Sequence, residues 1–223
     1  MPHNNFNKMK SRFVLIFICF LSVFYSKAQS AGNGVTDIEG NVYKSILLGK
    51  QEWMMDNLKV TKYKNGQPIP HIQDSTVWNT WGNGAYVFYK NDTKHGILYN
   101  WMAVIDKRGV CPTGWHVPSG LEWDTLAKFL GGDEIAGGKM KAKLHWEMPN
   151  TSASNTSSFH ALPKGMYGVN GSFNNIGKNA YWWSSSEHDE LSAWGREIGF
   201  NEPALFAGHG DKRDGLSIRC IKD

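Results

Sequence analysis

Cys111-Pro112-Thr113-Gly114-Trp115-His116-Val117-Pro118-Ser119-Gly120-Leu121-Glu122-Trp123 is the stretch that decides the class of fold. Its second half is a helix start. Ser119 and Glu122 stand three apart, the spacing of a capping box, in which each side chain satisfies a backbone N–H that would otherwise be orphaned. Trp123, Leu126, Ala127 and Leu130 follow at i, i+3, i+4 and i+7, which is one apolar helix face. Gly131 and Gly132 then offer the left-handed turn that ends such a helix. A second short helix is expected within 133–143.

Outward from that helix the chain reads as strands. Short apolar segments at 35–38, 43–48 and 51–55 are divided by Glu39-Gly40-Asn41 and Gly49-Lys50, the pattern of a meander. Residues 65–84 carry Pro68, Pro70, Asn79, Gly82, Asn83 and Gly84 and read as a long loop. Segments 86–89 and 97–104 are aromatic-rich strand or short-helix material, and 149–158 is a polar loop. Strands are expected at 181–185 and 194–200. The last, 216–221, alternates so that Leu216, Ile218 and Cys220 share a face. The sum is α+β, with more strand than helix, in one domain at 35–223.

The N-terminus has a different character. The 223 residues carry 24 Lys and Arg against 20 Asp and Glu, a formal charge of +4. Residues 1–28 hold Lys8, Lys10, Arg12 and Lys27 and no acidic residue, around an apolar run of 13 residues from Phe13 to Tyr25. A membrane-spanning helix needs about 20 residues. A basic start, a short apolar run and the small residues Ser26 and Ala28 form a cleavable secretory signal. Cys19 follows Ile18 rather than a small residue, which argues against a lipoprotein. Cleavage after Ala28 leaves 20 basic against 20 acidic residues, and the basic footprint of a nucleic-acid binder disappears. Residues 29–34 are expected as a flexible leader. The mature chain is expected outside the cytoplasm, periplasmic or extracellular, with no membrane span. It keeps two cysteines, Cys111 and Cys220, an even pair in an oxidising compartment, where a disulfide is the default.

Several blocks carry a family likeness. They are Asp37-Ile38-Glu39-Gly40-Asn41-Val42-Tyr43, Trp53-Met54-Met55-Asp56-Asn57-Leu58-Lys59, Gly96-Ile97-Leu98-Tyr99-Asn100-Trp101, the Cys111–Trp123 stretch, Tyr181-Trp182-Trp183-Ser184-Ser185 and Ser217-Ile218-Arg219-Cys220. Together they resemble the Fibrobacter succinogenes major paralogous domain, from about residue 35 to 223. The resemblance implies an exported bacterial protein with a C-type-lectin-like α+β fold, akin to the formylglycine-generating enzymes. That superfamily contains binders and enzymes, so fold alone does not assign the function.

The chemistry of individual residues narrows the choice. A formylglycine-type oxidase needs a reactive, copper-binding cysteine pair, and only Cys111 and Cys220 are available, at positions that look structural in the family. The mature chain's seven histidines, His71, His95, His116, His145, His160, His188 and His209, form no H-E-x-x-H or similar ligand pair. Ser184-Ser185-Ser186 lacks the G-x-S-x-G of a nucleophile elbow. The Gly171–Asn179 segment has five residues where a phosphate loop has four, and an Asn where Ser or Thr would hold magnesium. Calcium-dependent lectins use oxygen ligands with a Glu-Pro-Asn motif. Here Asn201-Glu202-Pro203 has those residue types in the wrong order, followed by Asp211 and Asp214, and an accidental match is the better account. Trp78 and Trp81 lie in the Pro/Gly/Asn loop, where aromatic rings either stack on a sugar or anchor a protein, making residues 66–84 a candidate ligand-facing surface, or tuck back and pin a long loop, a reading with at least equal claim.

These readings lead to an exported, non-catalytic binding module, with a glycan or a surface protein as ligand, no cofactor, and calcium only as a weak candidate. The alternatives are an enzyme of the formylglycine-generating type and a structural envelope component.

Overall fold

The computed structural model describes residues 29–89 and 96–223. The secretory signal expected at 1–28, and His95, lie outside them. Five strands open the chain: β1 (Ser30–Ala31), β2 (Val35–Thr36), β3 (Val42–Tyr43), β4 (Ser45–Leu48) and β5 (Gln51–Met54). Next come α1 (Ser75–Thr80), β6 (Tyr86–Phe88), β7 (Ile97–Tyr99), α2 (Trp101–Val104), β8 (Trp115–His116), α3 (Gly120–Phe129) and α4 (Asp133–Met140). The C-terminal half holds β9 (Met166–Tyr167), β10 (Phe173–Asn174), β11 (Asn179–Glu187), β12 (Ser192–Gly199), β13 (Phe206–Asp211) and β14 (Ile221–Lys222). The fold is α+β. A five-stranded sheet runs β1-β4-β5-β14-β8, a three-stranded sheet runs β11-β12-β13, and three two-stranded ribbons complete it.

The helix α3 begins as its residues dictate. The Ser119 side chain accepts from the Glu122 N–H, and the Glu122 carboxylate accepts from the Ser119 N–H, closing the capping box. Trp123, Leu126 and Ala127 are buried, with Trp123 against Trp53 at 4.7 Å and Trp182 at 5.9 Å between ring centroids. This aromatic cluster joins α3 to β5 and β11 in one core. A second core gathers Tyr43, Tyr99, Trp101, Trp183 and the closed Cys111–Cys220 disulfide. Leu216, Ile218 and Cys220 all face that second core, as their alternation requires.

Some segments depart from the sequence reading. Residues 29–34 are not a free leader: Ser30 and Ala31 pair with Leu47 and Ile46, and the Asn33 N–H donates to the Glu52 carboxylate at 2.9 Å. The loop at 65–84 contains α1, because the Asp74 carboxylate accepts from the N–H groups of Thr76 and Val77. The 97–104 segment divides into β7 and α2, because Asn100 caps a new helix by accepting from the Ala103 N–H. The 216–221 segment runs extended, yet only Ile221–Lys222 joins a ladder. Helix α4 carries Gly137 and Gly138 in mid-helix, a weak local signal. A Cβ at Gly137 would lie 2.1 Å from the Ala204 carbonyl oxygen, so only glycine lets the two backbones meet there.

His116 links the ends of this architecture. Its Nδ1 lies 2.7 Å from the C-terminal Asp223 carboxylate and its Nε2 2.9 Å from that of Glu122. Burial disfavours the charged ring, but hydrogen bonds to Asp223 and Glu122 outweigh it and raise the pKa above 6.5. A raised histidine pKa contributes stability that is complete below 6.5 and lost as pH rises through the folded value. The ring is 41% exposed, so the contribution is about 1 kcal/mol or less. Denaturation midpoints taken on either side of neutrality should differ by this step, and His116→Gln should remove it; an unchanged step in the variant refutes the assignment.

Candidate functional site

A cleft of about 380 Å³ lies where residues 56–61 meet the closing segment 217–219. Phe88, Ile97 and Leu162 supply apolar walls, and Asp56, Asn57, Lys59, Thr61 and Arg219 the polar groups. Alternation along 216–221 explains the floor. Because Leu216, Ile218 and Cys220 enter one core, Ser217 and Arg219 face the opposite way.

Arg219 is 1% exposed, yet no carboxylate lies within ion-pair distance of it among the described residues. Neutral acceptors hold it instead. Its Nε and Nη2 donate to Asn57 Oδ1 at 3.1 and 2.6 Å, and its Nη1 donates to the Phe159 carbonyl. The guanidinium carbon lies 4.1 Å from the Phe159 ring centroid and 5.7 Å from that of Trp182, in cation–π contact. Burial draws its pKa down to about 9, so it stays cationic at neutral pH. The same Asn57 oxygen also accepts from Trp182 Nε1 at 2.9 Å. Three sequence blocks, around residues 57, 182 and 219, therefore meet on one amide oxygen. Thr61 is tied to Glu39, whose carboxylate accepts from both its N–H and its hydroxyl.

The residues singled out in the sequence are placed differently. Trp78, a candidate ligand-facing ring, is buried at 1% exposure, the tucked-in alternative. Its Nε1 donates to the Arg213 carbonyl at 2.6 Å and its ring meets Tyr167 edge-on at 5.1 Å. Trp81 is half-buried and donates to the Gly84 carbonyl at 3.4 Å. The two rings pin the segment down rather than offering a stacking platform. The signal that could have shown this was Asp74-Ser75-Thr76, an N-cap that places Trp78 on a short helix.

The calcium candidates are also dispersed in role. Asp211 accepts a fork of hydrogen bonds from Arg213 at 2.9 and 2.5 Å. Asp214 accepts from the Val169 N–H at 3.1 Å. Asn201 and Glu202 lie in the turn after β12, where the Glu202 carbonyl accepts from Lys141 Nζ at 2.9 Å. Among the described residues no three His, Cys, Asp or Glu side chains gather as a metal set. The serine run is structural: Ser184 Oγ accepts from the Ser186 N–H, and Ser186 Oγ accepts from the Gly120 N–H, tying β11 to the start of α3. Cys111 and Cys220 are joined to each other, so neither is a free thiol. Among the described residues no helix is long and apolar enough to cross a membrane.

No curated protein and no solved structure matches the chain significantly. Residues 46–222 match the Fibrobacter succinogenes major domain, a span that includes Asn57, Cys111, Trp182, Arg219 and Cys220. With most of its length covered in this way, the chain belongs to the Fibrobacter succinogenes major domain family.

Proposed function

We propose that this protein is an exported, non-catalytic binding module of C-type-lectin-like fold, periplasmic or extracellular, whose ligand, a glycan or a surface protein, occupies the cleft above Asn57 and Arg219. The observation that carries the proposal is that Asn57 and Arg219 line that cleft, locked to each other and, through Asn57, to the buried Trp182 beneath. This pair gives a rigid polar floor beneath apolar walls, the composition of small-ligand sites. These groups are suited to hold rather than to transform. Asn57 and Arg219 are locked to one another, and the described cysteines are spent in a disulfide. Exposed Asp56 and Lys59 stand at the rim, where recognition is adjustable without disturbing the core.

A glycan array, followed by amide chemical-shift mapping of any hit, tests the proposal. Hits should shift Asn57, Lys59 and Thr61. The double variant Asp56→Ala/Lys59→Ala should bind at least about tenfold more weakly, with stability changed by no more than about 0.5 kcal/mol, as for exposed side chains. A ligand that binds the double variant as tightly as the native protein, or one whose shifts avoid the cleft, refutes this placement. Failure of both glycans and extracted surface proteins to bind favours a structural envelope role instead.

A further inference from the structure

The face of the β11-β12-β13 sheet turned away from α3 carries a second, smaller slot of about 180 Å³, separate from the cleft above. Its shape follows from register. Residues opposite one another on neighbouring strands form rows across a sheet, and every second residue along a strand returns to the same face. Tyr181, Glu197 and Phe206 form one row, and Trp183, Gly195 and Gly208 the next. The middle of that second row has no side chains. A Cβ at Gly208 would meet nothing within 4 Å, whereas one at Gly195 would come 3.7 Å from Leu216 Cδ1, so the row is a lane open at the outer strand and floored by Leu216 at Gly195.

The lane is flanked by carboxylates. Glu197 stands in the neighbouring row. Asp214 lies beside Gly210 on the other side, where a Cβ on that glycine would come within 3.2 Å of Oδ2. Among the described residues neither carboxylate is in an ion pair with a Lys or Arg. Burial pushes the Asp214 carboxyl up to about 6, so at neutral pH it is ionised at a cost that a nearby cation would relieve.

The lane opens on an edge that is itself available. β13 pairs only with β12, in unbroken register from Ser192↔Asp211 to Glu197↔Phe206, and no strand lies on its outer side among the described residues. It has no Lys, Pro or bulge, the usual devices that blunt an edge, and its first four residues are exposed. A strand added there would lie about 4.8 Å from β13, so a long side chain opposite Gly208 would pass over that glycine and Gly195 toward Trp183.

We infer that this edge and lane form a site for an extended peptide, added as a fourth strand to β13, with a lysine or arginine side chain lying along Gly208 and Gly195 between Glu197 and Asp214. Backbone pairing supplies the affinity and the lane selects the side chain. The two carboxylates beside the lane match a cation at the tip of a long apolar stem.

The test uses the disulfide-bonded protein and the peptide acetyl-Thr-Val-Lys-Val-Thr-amide, followed by amide shift mapping. Shifts should centre on Phe206, Gly208 and Gly195. Replacing the peptide lysine with norleucine should weaken binding about tenfold, and Gly208→Val should do the same by filling the lane. Valine suits a strand and meets open space at that position, so the fold should survive, and an unchanged melting temperature checks this. Asp214→Asn should narrow the difference between the lysine and norleucine peptides. Equal binding of the two peptides by the native protein, full binding by Gly208→Val, or shifts confined to the Asn57 cleft would each overturn the inference. So would a concentration-dependent dimer, which would assign the edge to a second copy of the chain.

Discussion

Replacing Cys111 and Cys220 together with alanine is expected to lower the unfolding free energy by about 4–5 kcal/mol in the chain-entropy account, and by no less than about 2 kcal/mol in practice. The disulfide spans a sequence separation of 109 residues, so its loss frees a large part of the domain in the unfolded state. It also stands at a junction. Cys111 precedes β8, Cys220 precedes β14, and the Ile221↔His116 and Lys222↔Trp115 pairs follow immediately. Domains of this kind hold about 5–15 kcal/mol in all, so the variant should lose a large share of its margin. Guanidinium titration of the native protein, of the double variant and of native protein unfolded in reductant should give one high midpoint and two low, similar ones. A double variant within about 1 kcal/mol of the native protein refutes the assignment.

Lys141→Met is the second large effect, and it is expected to cost about 2–4 kcal/mol, because the Gly199 and Glu202 carbonyls lose a donor at once while that of Phe200 keeps the Thr151 N–H. Lys141 is fully buried and its Nζ donates to the carbonyl oxygens of Gly199, Phe200 and Glu202 at 3.0, 3.2 and 2.9 Å. The ammonium also lies 5.5 Å from the Trp146 ring centroid. One side chain thus fastens the turn after β12 to the end of α4, beside the close approach at Gly137. Methionine has a similar stem and no donor, so the loss should report those carbonyls rather than a cavity. Burial lowers the Lys141 pKa from 10.5 to about 8. The unfolded chain therefore binds the proton more tightly than the folded one. The resulting gain in stability is fully present above 10.5 and is lost as pH falls through about 8. Native protein should gain stability from pH 8 upward relative to Lys141→Met; parallel profiles for the two would refute the coupling.

Most of what the sequence made legible was local. The capping box at Ser119 and Glu122 acts within one turn, and α3 starts where it says. The alternation of Leu216, Ile218 and Cys220 acts within one extended segment and placed all three in one core. Prolines and glycines in 65–84 were a less sure guide. They marked the ends of the segment, while the Asp74 cap inside it formed a helix and turned Trp78 inward. Asp214 shows the same limit, since a residue type suited to calcium took the Val169 N–H, a partner 45 residues away that only the folded chain supplies.

By itself the sequence determined the α+β class, the principal helix, the Cys111–Cys220 disulfide and the family, because each depends on neighbouring residues or on two cysteines that share one domain. Only the tertiary structure decided the rest. Asn57 and Arg219 are 162 residues apart, and nothing local to either shows that one amide oxygen will accept two hydrogen bonds from a buried guanidinium. The lane through Gly195 and Gly208 depends on the register of two hairpins, which sets which glycines stand side by side. Contacts of that kind arise from chain crossing and strand pairing, in which the physical neighbours of a residue are not its neighbours in sequence.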